Sequence, residues 1–198
     1  MKAIELSRDI LQREIVVEGT ATRAIGLFCF IILTALGAYV RIPLPFTPVP
    51  ITLQTFFVLL SGAVLGRKWG MASQAGYLVL GTIGLPLFTG AGAGTAYLFG
   101  PTGGYIIGFV AASWIAGRML QQPSKGIIRV ALAMAVASSA GIYFFGVLGL
   151  SLFLKCRLSQ ALALGFLPFV PGDIIKIISA SFIFYKIEKR CRDIFGPC

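Results

Sequence analysis

A long uncharged stretch runs through the middle of this sequence, with no Asp, Glu, Lys or Arg between residues 69 and 117. No acidic residue occurs anywhere from Gly19 through Gly172. A soluble domain carries roughly 25% charged residues, whereas this chain of 198 residues carries 12% and has a mean hydropathy of +0.90. Because such stretches suit hydrocarbon and not water, the chain is predicted to be an integral membrane protein.

The apolar segments approach the length of about 20 residues that a membrane-spanning helix needs. We predict an all-α protein with six transmembrane helices in a single domain over residues 1–198. The predicted spans are about residues 21–40, 52–65, 71–85, 103–115, 127–150 and 161–185. Residues 1–20 mix charged and aliphatic side chains, and no cleavable signal peptide is expected there. These residues are typical either of a cytoplasmic amphipathic helix or of a frayed polar tail. The predicted helix bundle covers residues 21–187.

Basic residues at the segment ends predict the orientation, because cytoplasmic loops carry the excess of Lys and Arg. With both termini cytoplasmic, 13 basic residues fall on that side and 3 on the other. The outer three are Arg41, Lys155 and Arg157, and the cytoplasmic set is Lys2, Arg8, Arg13, Arg23, Arg67, Lys68, Arg118, Lys125, Arg129, Lys186, Lys189, Arg190 and Arg192. This asymmetry accounts for the net charge of +10 without a nucleic-acid partner. The expected location is the cytoplasmic (inner) membrane.

Histidine is absent from the sequence, and the four cysteines are Cys29, Cys156, Cys191 and Cys198. The lack of histidine excludes His-based zinc sites and Ser-His-Asp triads. No two of the cysteines are expected to face an oxidising compartment together, so no disulfide is predicted. We therefore predict no catalytic residues, no metal site and no cofactor.

Asp173 and Lys176 lie inside the last predicted span, where a charged side chain costs on the order of 2.5 to 3.5 kcal/mol on insertion scales. Residues three apart share one helix face, about 4.5 Å apart along the axis, so the two are predicted to share a polar pocket. Pro168 and Pro171 precede the pair, and Pro171 suits a first helical turn. A helix restarted there places free backbone N–H groups beside Asp173, as in membrane ligand sites. A structural ion pair on a kinked helix is the alternative.

The segment from residue 84 to residue 105 contains seven glycines. Glycine lets the backbone approach a ligand closely, and Phe88, Tyr97, Phe99 and Tyr105 offer flat apolar faces. The pattern favours a lid over a pocket, with a flexible external connection as the alternative. A Rossmann phosphate loop is a poor match, because no acidic residue follows at about twenty positions.

Four prolines within residues 43–50 exclude a helix there. This segment is predicted to run extended at or just inside the outer face, surrounded by protein or water. Gln54 then enters the second span with both a donor and an acceptor. It is a candidate for ligand binding, and a hydrogen bond to a neighbouring helix is the alternative.

Four motifs, in this order within residues 42–176, make the chain resemble the BioY family, the biotin-binding S components of energy-coupling-factor (ECF) transporters. They are TPVPITLQT at 47–55, GLPLF at 84–88, GPTGGY at 100–105, and GD at 172–173 followed by Lys176. The resemblance implies an ECF S-component-like bundle of six helices, biotin as the ligand and a pocket open to the outside. It also implies a membrane T component and two cytoplasmic ATPases as partners, or a self-oligomer where a member works alone.

The resemblance implies a biotin site formed by Asp173 and Lys176 together with the loop from residue 89 to residue 105. The expected substrate-binding residues are Asp173, Lys176, Thr89, Gly92, Gly94, Gly100, Gly103, Tyr105 and Gln54. A carboxylate can accept from the ureido N–H groups, and an ammonium can bind the ureido oxygen or the carboxylate tail. Which end of biotin meets the charged pair stays open.

For docking of the T component, the resemblance implies an Ala-x-x-x-Ala-like pattern on the first helix, and the nearest equivalents here are Thr34, Ala35 and Ala38. No Walker motif is present, so ATP hydrolysis falls to a partner. One alternative is a solitary, proton-coupled biotin carrier in which Asp173 titrates. Another is a membrane enzyme acting on lipid or isoprenoid substrates. Such an enzyme needs a set of catalytic residues, and one Asp and one Lys without any His support that reading only weakly.

Overall fold

The structure is a computed structural model that describes residues 2–123 and 126–195, with side chains described from residue 19 onward. It is mostly helical, as predicted. Its elements are α1 (Lys2–Tyr39), β1 (Arg41–Ile42), β2 (Ile51–Thr52), α2 (Gln54–Thr82), α3 (Thr95–Leu98), α4 (Gly103–Met119), α5 (Ile127–Ala137), a π-helical stretch (Ser138–Tyr143), α6 (Phe144–Leu154), α7 (Leu158–Gly165), a 3-10 turn (Leu167–Phe169) and α8 (Val170–Phe195). The amphipathic face predicted for the first twenty residues falls mostly outside the described side chains, as do Lys125 and Cys198.

Three helical stretches within the described residues are long and apolar enough to cross a membrane. They are Gly19–Tyr39, Ile127–Leu154 and Leu158–Phe195. They correspond to the first, fifth and sixth predicted spans. The other predicted spans fall on α2, which is interrupted, and on α4, which has 17 residues.

α2 is a helical hairpin that reverses at Gly66, whose φ of 76° and ψ of 178° are non-helical. Gln54 Nε2 donates to the Tyr77 hydroxyl at 2.6 Å across 23 positions, whereas a straight helix would separate these residues by about 35 Å. A Cβ added to Gly70 would lie 2.7 Å from Gly62 Cα, so the two halves are in close contact. They match the predicted segments 52–65 and 71–85, and a sharp break at Gly66 joins them.

Small residues let α4 pack closely against the α2 hairpin. A Cβ added to Gly62 would lie 2.2 Å from the Ser113 carbonyl oxygen, so this backbone contact requires glycine. Beside it the Ser61 and Ser113 hydroxyls are 2.9 Å apart, and Gln74 Nε2 donates to Ser61 Oγ at 3.1 Å. The buried hydroxyls and amide thus satisfy one another at the centre of the bundle.

A π-helical stretch over Ser138–Tyr143 interrupts the fifth predicted helix, which was expected to run unbroken over residues 127–150. One extra residue in a helical turn rotates everything after it by about 100° relative to the preceding helix. Gly141 lies against Ala112 of α4, where an added Cβ would be 2.5 Å from the Ala112 backbone. The stretch ends at Tyr143, which is buried in the bundle.

The last predicted span is divided, as the two prolines indicate. α7 ends at Gly165, a 3-10 turn carries Pro168, and α8 begins at Val170 with Asp173 in its first turn. The predicted restart before Asp173 is therefore confirmed. The span predicted over residues 161–185 thus consists of three pieces, α7, the 3-10 turn and α8.

The proline-rich segment 43–50 forms the loop between β1 and β2, which pair antiparallel with Arg41 opposite Thr52. Its predicted non-helical course is confirmed. Val49 at the end of this loop is only 5% exposed. The loop therefore turns back into the bundle.

Candidate ligand site

A cavity with about 500 Å³ of empty space, partly open to solvent, lies at the end of the bundle where the α2 hairpin begins. It is enclosed by the proline-rich loop, α2, the glycine-rich segment, α4, the π-helical stretch and the start of α8. Its lining residues are Val49, Pro50, Thr52, Gln54, Thr55, Thr89, Thr102, Tyr105, Ile106, Phe109, Ile142, Tyr143, Phe169, Asp173 and Lys176.

Asp173 and Lys176 form an ion pair on this cavity, as predicted. Lys176 Nζ lies 3.0 Å from Asp173 Oδ1 and also donates to Thr55 Oγ1 at 3.2 Å. Asp173 is only 6% exposed. They are the only charged residues among the described lining residues, so the cavity carries no net formal charge.

Tyr143 completes the polar end of the cavity. Its hydroxyl donates to Asp173 Oδ2 at 2.5 Å, and its ring packs edge-to-face on Phe166 with centroids 4.7 Å apart. The π-helical stretch brings this hydroxyl to the first turn of α8. Each oxygen of Asp173 therefore has one donor from the protein.

The polar groups of the pair keep unused hydrogen-bonding capacity. A carboxylate has about four lone-pair sites and an ammonium has three donors. Asp173 accepts from Tyr143 and Lys176, while Lys176 donates to Asp173 and Thr55. About two acceptor sites and one N–H donor remain for a ligand.

Gln54 holds the glycine-rich segment against α2. Its Oε1 accepts from Thr89 Oγ1 at 3.0 Å and from Thr52 Oγ1 at 3.2 Å, while its Nε2 donates to Tyr77. The hydrogen bond to the neighbouring helical half was the alternative raised from sequence. Gln54 both lines the cavity and positions Thr89 at its edge.

The structure brings five of the predicted site residues together on the cavity: Asp173, Lys176, Gln54, Thr89 and Tyr105. It leaves the four predicted glycines, Gly92, Gly94, Gly100 and Gly103, off the lining. A Cβ on Gly103 would lie 1.7 Å from the Leu98 carbonyl oxygen, and Gly94 has a φ of +86°. These two glycines therefore shape the segment, and their role toward a ligand stays a prediction.

The predicted aromatic lid is folded differently from what its sequence indicates. Phe88 is fully buried and stacks on Tyr97 with centroids 5.0 Å apart, whereas Phe99 is 83% exposed. Of the four aromatics, Tyr105 alone is a described lining residue. The apolar walls come instead from Ile106, Phe109, Ile142 and Phe169.

The three residues predicted to dock a partner lie inside the bundle. Thr34, Ala35 and Ala38 are 0%, 7% and 0% exposed, and Thr34 Oγ1 donates to Gln74 of α2 at 3.4 Å. A partner would reach them only after α1 and α2 separate. The docking assignment stays a prediction.

Sequence reasoning did not assign Thr55 and Tyr143 to the site. Thr55 is the last residue of the motif at 47–55, and its contact with Lys176 depends on the packing of α2 against α8. Tyr143 sits in an apolar span, where a buried hydroxyl needs a partner. That need is a usable signal, but the π-helical turn that aims Tyr143 at Asp173 is not readable from the pattern.

Tyr143→Phe is expected to lower the free energy of unfolding of the ligand-free protein by about 1.5 to 3 kcal/mol, the range for a hydrogen bond to a charged group. The phenyl ring keeps its packing against Phe166, and Asp173 loses one donor. Denaturant titration in detergent measures the difference.

Tyr105→Phe is the matched control, since the Tyr105 hydroxyl also lies in the bundle but donates to a neutral acceptor, the Gly165 carbonyl, at 2.7 Å. Its expected loss is about 0.6 kcal/mol, the average for membrane hydrogen bonds. Equal losses in the free energy of unfolding would show that the Tyr143–Asp173 hydrogen bond stabilises the protein no more than a hydrogen bond to a neutral acceptor.

Comparison with known proteins gives a consistent set of similarities. The model of the BioY family matches residues 11–193. The biotin transporter BioY of Thermotoga maritima is 40% identical over 160 residues, covering 81% of this chain and 92% of that protein. The probable biotin transporter BioY of Pyrococcus horikoshii is 39% identical over 159 residues, covering 80% and 91%. The crystal structure of the S-component for biotin from an ECF-type ABC transporter superposes with a TM-score of 0.79 at 30% identity, covering 86% of this chain and 92% of that one.

Proposed function

Because the chain belongs to the BioY family, we propose that it binds biotin and serves as the substrate-capture subunit for biotin uptake. Relatives that match it over most of their length are named biotin transporters, and a similar solved structure is named an S-component for biotin. These relatives are transport proteins, so the lipid-enzyme alternative is set aside.

The observation that carries this proposal is the unused capacity of the Asp173–Lys176 pair. A ureido group has two N–H donors and one oxygen acceptor. Asp173 retains about two acceptor sites and Lys176 one donor, so the pair complements a ureido group in number and in type. This match favours the ureido end of biotin at the pair, where the sequence left the orientation open.

The rest of the cavity suits the remaining parts of biotin. The apolar walls of Ile106, Phe109 and Phe169 can cover the thioether ring. Arg41 offers a charge for the carboxylate tail near the opening, because it pairs across the β-ribbon with Thr52, a lining residue. Opposed residues of an antiparallel pair lie on the same face, and the Arg41 guanidinium also contacts Gly90, next to Thr89.

We propose further that the bundle crosses the inner membrane six times with both termini cytoplasmic. The six passes are α1, the two halves of α2, α4, α5 with α6, and α7 with α8. The charge asymmetry supports this orientation, and it makes the cavity open to the outside. With no Walker motif in the chain, transport is driven by a T component and two ATPases.

The proposed function is tested by uptake of radiolabelled biotin in a host that lacks its own biotin transporter and energy-coupling modules. The chain expressed alone is expected to retain biotin only in proportion to the amount of protein. Coexpression with a T component and two ATPases is expected to give accumulation above the external concentration.

Two results would contradict the proposal in different ways. Accumulation by the chain alone, abolished by dissipating the proton gradient, would favour the solitary proton-coupled carrier. Absence of any protein-dependent biotin retention, with the chain shown to be in the membrane, would remove biotin as the ligand.

A further inference from the structure

A second cavity lies at the opposite end of the bundle, around the turn of the α2 hairpin. Gly66 at this turn is 12 residues after Gln54, so the two cavities are about 18 Å apart along the helix. The lining residues of this second cavity are Arg23, Leu65, Gly66, Arg67, Lys68, Trp69, Gln121 and Phe195. It has about 590 Å³ of empty space, part of it open to solvent.

Three of these lining residues are cations, and the described lining contains no carboxylate. Like charges in one cavity repel one another, more so beside low-dielectric protein than in water. Of the described carboxylates near this end of the bundle, Glu188 is paired with Arg192 at 2.9 Å, and Asp193 is exposed on α8 outside the lining. The lining of this cavity therefore has a net positive charge, which favours an anionic ligand.

Fold constraints explain one of the cations but not the other two. Arg23 Nε donates to the Phe195 carbonyl at 2.7 Å and so ties α1 to the end of α8. Arg67 and Lys68 make no hydrogen bond or ion pair with the described residues. Arg67 is half-buried beside Gly117, where α4 meets the turn. Arg67 and Lys68 belong to the basic residues that indicate the orientation, and because they lie unpaired beside a cavity they are also placed to bind a ligand.

The remaining lining residues indicate the nature of that ligand. Leu65, Trp69 and Phe195 form an apolar wall beside the cations. A guanidinium with an ammonium is the combination that binds phosphate oxygens. Basic pockets between helices on the cytoplasmic side bind anionic lipid head groups, and tryptophan favours the membrane interface.

We propose that this second cavity binds the phosphate group of an anionic phospholipid through Arg67 and Lys68, with its glycerol and acyl portion against Trp69 and Phe195. The inference uses no residue of the biotin cavity, and it rests on the proposed function only for placing this end of the bundle on the cytoplasmic side. It assigns a role to the two cations at the hairpin turn.

Native mass spectrometry of the delipidated full chain, titrated with phosphatidylglycerol or with phosphatidylcholine of the same acyl chains, tests the proposal. One phosphatidylglycerol is expected to bind at least tenfold more tightly than phosphatidylcholine. Arg67→Gln with Lys68→Gln is expected to lose that preference. Lys68→Gln alone, at an exposed position that tolerates the change, is expected to weaken phosphatidylglycerol binding about threefold or more.

Arg129→Gln with Lys189→Gln is the matched control, because it removes the same charge from exposed positions outside the cavity. It is expected to retain the preference within threefold. An equal loss in both double variants, or no preference in the unaltered chain, would overturn the proposal. Competition by glycerol 3-phosphate as effective as the whole lipid would assign the cavity to a soluble phosphate and overturn the lipid assignment.

Discussion

Asp173→Asn is expected to weaken biotin binding about 10- to 150-fold, which corresponds to about 1.5 to 3 kcal/mol for a hydrogen bond to a charged group. The amide keeps the shape of the carboxylate but loses its charge and half of its acceptor capacity. Asp193→Asn makes the same change at an exposed site near the other end of α8. That control is expected to bind biotin like the unaltered chain, and titration calorimetry in detergent measures all three proteins.

Replacing both members of the ion pair separates a binding role from a structural one. A buried ion pair can often be exchanged for apolar residues of similar volume without loss of stability, whereas removing one partner leaves an unpaired charge. Asp173→Leu combined with Lys176→Met, made in the Tyr143→Phe protein so that no buried hydroxyl loses its acceptor, is therefore expected to unfold no more easily than Tyr143→Phe alone and yet to bind no biotin. A combined variant that still binds with unchanged affinity would reduce the pair to a structural contact.

Gly62→Ala is expected to produce a large loss of stability at a position outside the candidate site. The added methyl carbon would lie 2.2 Å from the Ser113 carbonyl oxygen, which belongs to the backbone and cannot rotate away. α2 and α4 must then separate, at a cost of about 1 to 3 kcal/mol or more for overpacking. Biotin affinity should fall as well, because the two helices carry opposite walls of the cavity.

The same substitution at Gly19 provides the control for the Gly62 variant. An added Cβ there meets nothing within 4 Å, so Gly19→Ala changes only the local helix preference, by about 1 kcal/mol in favour of the folded state. Thermal unfolding in detergent compares the two variants. Similar unfolding midpoints in the two variants would mean that α2 and α4 can separate at little cost in free energy. Close packing of these helices would then not be required for stability.

The sequence predicted those parts of the fold in which a single large free-energy cost excludes the alternative structures. Uncharged stretches exclude water, and prolines at 168 and 171 force the helix to restart before Asp173. The spans on either side of Gly66 were predicted, but the tight form of the reversal at Gly66 and the π-helical stretch after Ala137 escaped prediction. Neither feature produces a periodic pattern in the sequence. The π-helical segment is as apolar as its neighbours and depends on the approach of Gly141 to Ala112.

The sequence predicted the charged residues of the candidate site but not the apolar residues that form its walls. Asp173 and Lys176 are expensive in lipid, so their position alone singles them out. The aromatic residues of the glycine-rich segment offered no such signal. Phe88 and Tyr97 pack on each other, and the walls come from apolar residues on α4 and the π-helical stretch, which look like ordinary core residues in the sequence.

The ureido group is the part of biotin that the Asp173–Lys176 pair is proposed to recognise, and a ligand series tests that claim directly. Purified protein is titrated with biotin, desthiobiotin and lipoate. Desthiobiotin keeps the ureido group, whereas lipoate has a sulfur ring and a carboxylate tail without one. We predict saturable binding of biotin, weaker binding of desthiobiotin, and no binding of lipoate at a hundredfold higher concentration. Lipoate binding as tightly as biotin, or no binding of biotin by folded protein, would contradict the account.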